Sequence, residues 1–243
     1  MKSSREIRAD ARKALGENGQ YLRYVASYLL LCIMAIAISL PLMAILGVGI
    51  GISGIAPFFA PGGQCEIGLF LDPAVMLPLL TSVLLFTLLA VYPIGYLKWG
   101  ENAMSIAAMR RGLTVGHTFS GWGHGWKMGW IVTVKLSCIS LWTLLLVVPG
   151  VVKALSYAMT EFIAIDHPDW SAGECMAESQ RLMNGNRMNY LILCVSFIGW
   201  FALLALANAF TPAGGIAQWF FMPYFNSAKA AFYENLLDCD IVE

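Results

Sequence analysis

A run of 41 residues without a formally charged side chain covers residues 188–228, MNYLILCVSFIGWFALLALANAFTPAGGIAQWFFMPYFNSA. A helix that crosses the hydrocarbon core of a bilayer needs about 20 predominantly apolar residues. The run is long enough for two such helices, and Asn208 and the segment Thr211-Pro212-Ala213-Gly214-Gly215 interrupt it near the middle. It therefore predicts two membrane spans joined by a short loop.

The composition of the whole chain also indicates a membrane protein. Of the 243 residues, 58% are hydrophobic and 12% are charged, and the formal net charge is 0. Soluble domains carry about 25% charged residues. So few charges exclude an ordinary soluble enzyme and a disordered chain. A net charge of zero without a basic domain excludes a nucleic-acid-binding protein.

Other uncharged runs predict the remaining spans. Residues 24–65 carry no formal charge, but glycines and prolines crowd the second half of this run and end any helix there. The apolar stretch 127–165 is divided by Pro149-Gly150, which predicts either a tight turn between two antiparallel spans or a kink in one long helix. With the turn, the chain is an all-α, polytopic transmembrane helix bundle forming a single integral membrane domain over 1–243. Its six spans cover residues 24–46, 73–97, 128–148, 151–165, 188–207 and 216–233.

The positions of lysine and arginine predict the orientation of the bundle. Residues 1–23 hold six of them, 98–127 hold four and 166–187 hold two, whereas 47–72 and 208–215 hold none. Basic residues accumulate in cytoplasmic loops. Six spans with both termini in the cytoplasm put every basic segment on one side, which favours the turn over the kink. The same reasoning places 47–72 as an outer loop of a multi-pass protein of the cell membrane.

Two capping boxes predict amphipathic helices at the cytoplasmic interface. Ser3-Ser4-Arg5-Glu6 begins the first, within the cytoplasmic segment 1–23, and Ser171-Ala172-Gly173-Glu174 begins the second, which ends at Asn184-Gly185. The apolar faces hold Ile7, Ala11, Ala14 and Leu15 in the first helix and Cys175, Met176, Ser179 and Met183 in the second. The basic face of the first helix suits anionic lipid headgroups. The predicted partners are therefore the lipid bilayer and those headgroups, and the sequence does not identify which proteins, if any, the chain binds.

Ionisable side chains within the predicted spans are the candidate ligand-binding residues. Such groups cost at least about 2.5–3.5 kcal/mol each on insertion scales, so they usually pair, reach the interface or serve a function. Lys153, Tyr157 and Glu161 recur every four residues, and Thr160 lies beside them. This stripe predicts a site for a polar ligand, an ion or a lipid headgroup. The alternative is that Lys153 extends to the outer interface and the hydroxyls bond to their own helix.

Lys135 and Glu161 form a predicted structural ion pair. With a turn at Pro149-Gly150, their positions along the two antiparallel helices differ by three residues. Three residues correspond to about 4.5 Å along a helix axis, which a lysine side chain can span. Opposite charges at similar depth would compensate each other's desolvation.

The sequence shows no pattern typical of catalysis or cofactor binding. It lacks a glycine-rich phosphate loop, and no nucleophile can be named together with its base. His117, His124 and His167 do not have the spacing of a metal-ligand set. We therefore expect a protein that is not an enzyme, with no catalytic residue, no metal site and no cofactor.

Two segments carry a family resemblance: residues 149–160, PGVVKALSYAMT, and residues 182–186, LMNGN. Further matching residues are the segment Lys2-Ser3-Ser4-Arg5-Glu6-Ile7-Arg8, Ser179, Ser196-Phe197-Ile198-Gly199-Trp200, Pro223-Tyr224 and Ala231-Phe232-Tyr233. With these residues the chain resembles the bacterial integral membrane proteins called "domain of unknown function 975". The resemblance implies a polytopic protein of the bacterial inner membrane and implies no reaction. A weaker similarity is to the membrane domains of glycerophosphodiester phosphodiesterases, which would suggest proximity to lipid headgroups.

These observations favour a non-enzymatic membrane protein that binds or organises lipid, a small ligand or partner proteins. The alternative is a small-molecule or lipid transporter, because transporters often use interrupted helices with a site near the membrane midplane. The segments near Pro41 and Pro93 fit that pattern weakly.

Overall fold

The computed structural model describes residues 2–16, 19–50, 73–110, 112–114, 116–210 and 214–242. In these ranges the chain is α-helical and contains no strand, so the predicted all-α class is confirmed. The described helices are α1 (Ser4–Gly16), α2 (Gln20–Ile50), α3 (Pro73–Arg110), α4 (Gly116–Phe119), α5 (Gly125–Leu145), α6 (Val147–Ser156), α7 (Thr160–Asp166), α8 (Ala172–Leu182), α9 (Arg187–Val195), α10 (Ile198–Phe210) and α11 (Gly214–Val242).

Within the described residues, four segments are long and apolar enough to cross a membrane: Gln20–Pro41, Gly125–Leu145, Val147–Asp166 and Arg187–Ala209. Among the described residues the number of spans is therefore about four rather than the predicted six. The two predicted spans that are missing from the four, 73–97 and 216–233, both lie within helices.

The reason for the missing spans differs between the two helices. In α11 the polar residues Gln218, Asn226, Ser227 and Lys229 interrupt the apolar run. In α3 most side chains between residues 73 and 89 lie outside the described part of the protein. The predicted outer loop 47–72 also lies outside it from residue 51 onward.

The chain reverses at Leu146, three residues before the predicted turn. Leu146 has an extended backbone (φ −157°, ψ 138°) between α5 and α6. Pro149 instead lies in the first turn of α6, where a missing N–H leaves no hydrogen bond unmade. A Cβ built on Gly150 would lie 2.8 Å from the Cα of Thr143, so the glycine allows α6 to return closely along α5. Pro149-Gly150 is thus neither the turn nor a kink but the start of the returning helix.

The second half of this hairpin is broken between α6 and α7. Residues 157–159 form a turn, which separates the two helices within the candidate span Val147–Asp166. The buried hydroxyl of Ser179 on α8 bridges the break. It donates to the carbonyl of Ser156 at 2.8 Å and accepts from the amide of Met159 at 3.2 Å. A side chain from α8 therefore satisfies two backbone groups that the broken helix leaves without partners.

We expect Ser179→Ala to lower the free energy of unfolding by about 1–3 kcal/mol, because it strands a buried amide and a buried carbonyl. The matched control is Ser140→Ala on α5, whose exposed hydroxyl bonds only to the Ser137 carbonyl of its own helix. The free energy of unfolding of that variant should stay within about 0.5 kcal/mol of the parent value. Thermal unfolding in detergent measures both. Equal unfolding curves for the two variants would show that Ser179 does not stabilise the break.

Burial is concentrated at one end of the bundle. The buried side chains lie in α1, at the start of α2 and α5, at the end of α3 and α11, and in α7 and α8. Many exposed large apolar side chains lie on the other parts of the long helices, for example Leu144 at 87% and Val148 at 74% exposure, although Trp126 and Trp130 at the start of α5 are exposed as well. Contiguous apolar surface of this kind is typical of a face that contacts lipid or another apolar partner. We call the two regions the packed end and the apolar end.

Ion pairs join several segments at the packed end. Arg110 at the end of α3 donates to both oxygens of Asp166 at 2.7 Å and to Glu234 at 2.7 Å. Burial raises the pKa of Glu234, although Arg110 opposes this shift. Arg181 on α8 makes a similar bidentate contact with Asp240 on α11. The basic segments that the sequence predicts on one side therefore lie at one end of the bundle.

Helix α1 packs its apolar face on the protein. Its capping box is present, since the backbone amide of Ser3 donates to Glu6 at 2.6 Å and the amide of Glu6 donates to Ser3 Oγ at 3.4 Å. The amide of Ser3 also holds the pKa of Glu6 below its usual value. Ile7, Ala11 and Leu15 are buried where α1 meets α2, α9 and α11.

Three glycines let α3 and α5 cross at backbone contact. A Cβ on Gly95 would overlap the carbonyl oxygen of Gly125 and lie 2.8 Å from the Cα of Gly129. A Cβ on Gly129 would overlap the carbonyl oxygen of Val91. Gly125 and Gly129 are four residues apart, which is the small-xxx-small pattern of closely packed membrane helices.

Candidate functional site

The structure separates the two charges of the predicted polar stripe, Lys153 and Glu161. Lys153 donates to Gln180 on α8 at 3.1 Å, and its ammonium lies over the rings of Trp142 and Tyr157 at 5.5 and 5.6 Å. Glu161 contacts residues of other helices. The break at residues 157–159 separates the two halves of the stripe, so its two charges have different partners.

Lys135 and Glu161 lie in contact. Lys135 Nζ donates to Glu161 Oε1, and the side chains are only 13% and 14% exposed. The second carboxylate oxygen of Glu161 accepts from Asn102 Nδ2 at 2.8 Å. The ion pair thus joins α5 to α7, and the hydrogen bond from Asn102 joins α3 to the same carboxylate.

A second pair from α3 extends this interior ionic cluster, which we define as Lys98, Glu101, Lys135, Glu161 and Lys229. Lys98 Nζ lies 3.0 Å from Glu101 Oε2, and the hydroxyl of Tyr28 on α2 donates to the other oxygen at 3.2 Å. Lys229 on α11 is close enough to interact electrostatically with the other four. Sequence reasoning missed Lys98, Glu101 and Lys229, although Lys98 and Glu101 follow an apolar run at helical spacing.

A separate groove of about 750 Å³ lies between α1, α10 and α11. Small-molecule pockets span about 300–1,000 Å³. Most of its walls are apolar or aromatic, formed by Leu15, Phe197, Trp200, Leu203, Leu204, Ala207, Ala217, Phe220 and Phe221. Phe197 and Trp200 lie where α9 meets α10, so the α10–α11 hairpin forms the long walls.

The polar residues of the groove include two arginines of α1. Arg8 and Arg12 line it together with Tyr21 and Tyr224. Arg12 donates to the hydroxyl of Tyr224 at 3.5 Å, and this hydrogen bond raises the pKa of Arg12 above its usual value. In the described part of the chain neither arginine forms an ion pair with a carboxylate. Two guanidinium groups without an ion-pair partner among the described residues therefore stand beside an apolar groove.

The groove was not predicted as a site, although several of its parts were singled out. The basic face of the first helix pointed to anionic headgroups, and Phe197, Trp200 and Tyr224 belong to the segments that carried the family resemblance. Their meeting at one groove depends on the contact between residues about 200 positions apart in the sequence, which no local pattern shows.

Metal ligands do not cluster in the part of the chain that the structure describes. No group of three or more His, Cys, Asp or Glu side chains there could hold a metal ion. Several described carboxylates instead pair with basic side chains, as Asp166 does with Arg110 and Glu161 does with Lys135.

Comparisons with known proteins place the chain in a family. No curated protein and no solved structure matches it. The similarity to the membrane domains of glycerophosphodiester phosphodiesterases therefore stays a prediction. A family model described as "Protein of unknown function (DUF975)" matches residues 113–240, which is more than half of the chain. The protein belongs to this DUF975 family, as the resemblance of its sequence predicted.

Proposed function

We propose that the protein is a non-enzymatic membrane protein that binds an anionic lipid in the groove between α1, α10 and α11. The observation that carries this proposal is an apolar groove along a candidate membrane span, beside two arginines that form no ion pair among the described residues. An anionic lipid has the same division into a charged headgroup and an apolar chain.

The geometry of the groove supports a ligand with separated polar and apolar parts. Tyr224, which contacts Arg12, lies 5.5 Å from Phe197 between ring centroids, so the basic residues flank this part of the groove. Ala207 lies ten residues beyond Phe197, near the connection between α10 and α11, which is about 15 Å along a helix axis. An acyl chain could therefore follow α10 and α11 away from the arginines.

The charge of the groove favours a phosphate-bearing headgroup. Arg8 and Arg12 are four residues apart and so lie on one face of α1. Guanidinium groups bind phosphate through paired hydrogen bonds, and they bind more strongly when no protein carboxylate competes. Tyr21 and Tyr224 flank the same groove, but the hydroxyl of Tyr21 already donates to the carbonyl of Phe220 at 2.7 Å.

The proposal includes the membrane and the orientation. We place the protein in the bacterial inner membrane as a multi-pass protein, with both termini and the packed end toward the cytoplasm. The meeting of the basic segments at the packed end supports this orientation, because such segments are retained on the cytoplasmic side. Arg8 and Arg12 would then face the anionic headgroups of the inner leaflet.

The test compares lipid binding by two charge-matched double variants. Arg8→Gln with Arg12→Gln removes both groove arginines, whereas Arg5→Gln with Lys13→Gln removes two exposed charges of α1 that do not line the groove. We expect the groove variant to bind phosphatidylglycerol at least about 10-fold more weakly, because each charge-assisted hydrogen bond contributes about 1.5–3 kcal/mol. Native mass spectrometry of the purified protein with added lipid measures the loss, and the control should bind like the parent.

A second pair of variants tests the apolar part of the groove. Leu204→Trp fills the groove, and Leu206→Trp adds the same side chain at an exposed position that does not line it. Lipid binding should fall only in the Leu204 variant. Equal binding by the groove variants and their controls would overturn the proposal.

One observation favours the transporter alternative. The candidate span Val147–Asp166 is discontinuous, and its break lies next to Glu161 of the interior ionic cluster. Broken helices beside buried charges are typical of transport sites. Uptake of radiolabelled solutes into proteoliposomes tests this function. Uptake abolished by Glu161→Gln would favour a transporter over a protein that only binds lipid.

A further inference from the structure

We propose that the groove between α1, α10 and α11 takes one hydrocarbon chain and one phosphate, so that an anionic lipid with a single acyl chain, a lysophospholipid, fills it completely. This inference rests on the proposed function and names the class of lipid. A lipid with two chains would place only one of them in the groove, and its second chain would stay outside. The width of the groove, its volume and its basic residues each lead to this number of chains.

The groove is as wide as one seam between two packed helices. The lining residues of α10, with Phe197 just before it, contact the lining residues of α11. The ring centroid of Phe197 lies 5.5 Å from that of Tyr224 and 6.0 Å from that of Phe221, and Trp200 also lies 6.0 Å from Phe221. The axes of helices in such contact are about 8–10 Å apart. The seam therefore admits one chain, whereas two chains side by side would need helices that stand further apart.

The groove is open along its length. Phe197 is buried, but the lining residues Trp200, Leu203 and Phe220 are exposed. The exposed residues of α10 belong to the candidate membrane span Arg187–Ala209. A chain can thus enter sideways from the bilayer, and a second chain on the same glycerol can remain among the other lipids.

The volume of the groove gives the same number of chains. It is about 750 Å³. A methylene group fills roughly the 30 Å³ that a water molecule takes in the liquid, so an acyl chain of about 16 carbons fills roughly 480 Å³. The remaining volume is enough for a phosphate and part of a glycerol. A second chain would raise the requirement to about 960 Å³, which exceeds the groove.

The basic side chains of the groove match one phosphate. Arg8 and Arg12 lie four residues apart on α1, so their side chains start from neighbouring positions on one face. Among the described residues no other lysine or arginine lines the groove. A lipid with two phosphates, such as cardiolipin, would therefore gain no second basic site there.

The test compares lysophosphatidylglycerol with phosphatidylglycerol of the same acyl chain by native mass spectrometry of the detergent-solubilised protein. We expect the two dissociation constants to agree within about threefold, because the same chain and phosphate are bound in both cases. Cardiolipin should bind no more tightly than phosphatidylglycerol. Lysophosphatidylglycerol with a chain of about eight carbons should bind at least about 10-fold more weakly, because it buries fewer methylene groups.

The groove variants show whether both lipids occupy the same place. Arg8→Gln with Arg12→Gln should weaken both lipids by the same factor, and so should Leu204→Trp. Leu206→Trp, at an exposed position outside the groove, should leave both unchanged.

The two possible failures are distinguishable. Phosphatidylglycerol that binds at least about 10-fold more tightly than its one-chain counterpart, and still depends on Arg8, Arg12 and Leu204, would overturn the one-chain groove and leave the proposed function intact. Binding of both lipids that is unaffected by the groove variants would overturn the proposed function and this inference with it.

Discussion

Gly129→Ala is expected to lower the free energy of unfolding by about 3 kcal/mol or more, although it adds only one methyl group. The new Cβ would overlap the carbonyl oxygen of Val91 and lie 2.7 Å from its side chain. Overpacking typically costs about 1–3 kcal/mol when side chains can move aside. Here the obstacle is backbone, so α3 and α5 have to separate along their crossing.

The control for this prediction is Gly199→Ala on α10. Nothing lies within 4 Å of a Cβ built there, and the residue is exposed within a helix. Alanine should stabilise that position by about 0.5–1 kcal/mol, because glycine in a helix loses more backbone entropy on folding. Thermal unfolding in detergent and the yield of monodisperse protein measure both effects. A Gly129→Ala protein as stable as the parent would mean that the helices are not in backbone contact.

The second large loss of stability is expected when the ion pair between Lys135 and Glu161 is broken. We expect Lys135→Met or Glu161→Gln alone to lower stability by about 3–5 kcal/mol, because each leaves a mostly buried charge without its direct partner. The double variant should recover most of this loss, since neither charge remains. The four proteins of the cycle are compared by unfolding in detergent.

The double-mutant cycle separates the interaction between Lys135 and Glu161 from the stability that each substitution costs by itself. Recovery in the double variant measures the interaction between the two side chains. Strictly additive losses would show that Lys135 and Glu161 act independently. Asn102 stays in place throughout, and the side-chain amide that Glu161→Gln introduces can still accept its hydrogen bond, so that contact does not distort the comparison.

Long uncharged runs were enough to predict the class of the fold, because membrane helices need apolar residues over their whole length. The number of spans was not predictable in the same way. In α11, Asn226 and Lys229 lie within one continuous helix, where Asn226 is buried and the ammonium of Lys229 lies over the ring of Phe225 one turn earlier. The sequence shows the polar residues but not the side chains that surround them.

The turn between α5 and α6 shows a different limit. Pro149-Gly150 is the strongest local signal, yet the chain reverses at Leu146, where the sequence is uniformly apolar. Proline suits the first turn of a helix as well as the end of one, so the pair alone did not distinguish the two. Lys135 lies 11 residues before Leu146 and Glu161 lies 15 after it, so the two charges are still at similar depth. This is why the two charges meet although the predicted position of the turn was wrong.

The glycine crossing and the groove show what a single sequence hides. Gly125 and Gly129 have a visible spacing, but their partner Gly95 lies 30 residues away on another helix. Arg8 and Tyr224 are even further apart along the chain. Local patterns predicted the basic face of α1 and the apolar hairpin, but the contact between them depends on tertiary packing.

The position of α1 has a consequence for biosynthesis. This helix is made long before α11, on which it docks, and the backbone amide of Lys2 donates to the side chain of Asn235 at 3.1 Å. The part of its apolar face that contacts α11 therefore stays uncovered until almost all of the described chain has left the ribosome. During that interval the nascent helix can rest on the membrane surface, since its exposed face is basic and its other face is apolar. The groove between α1, α10 and α11, which needs both α1 and α11, is therefore one of the last parts of the described chain to form.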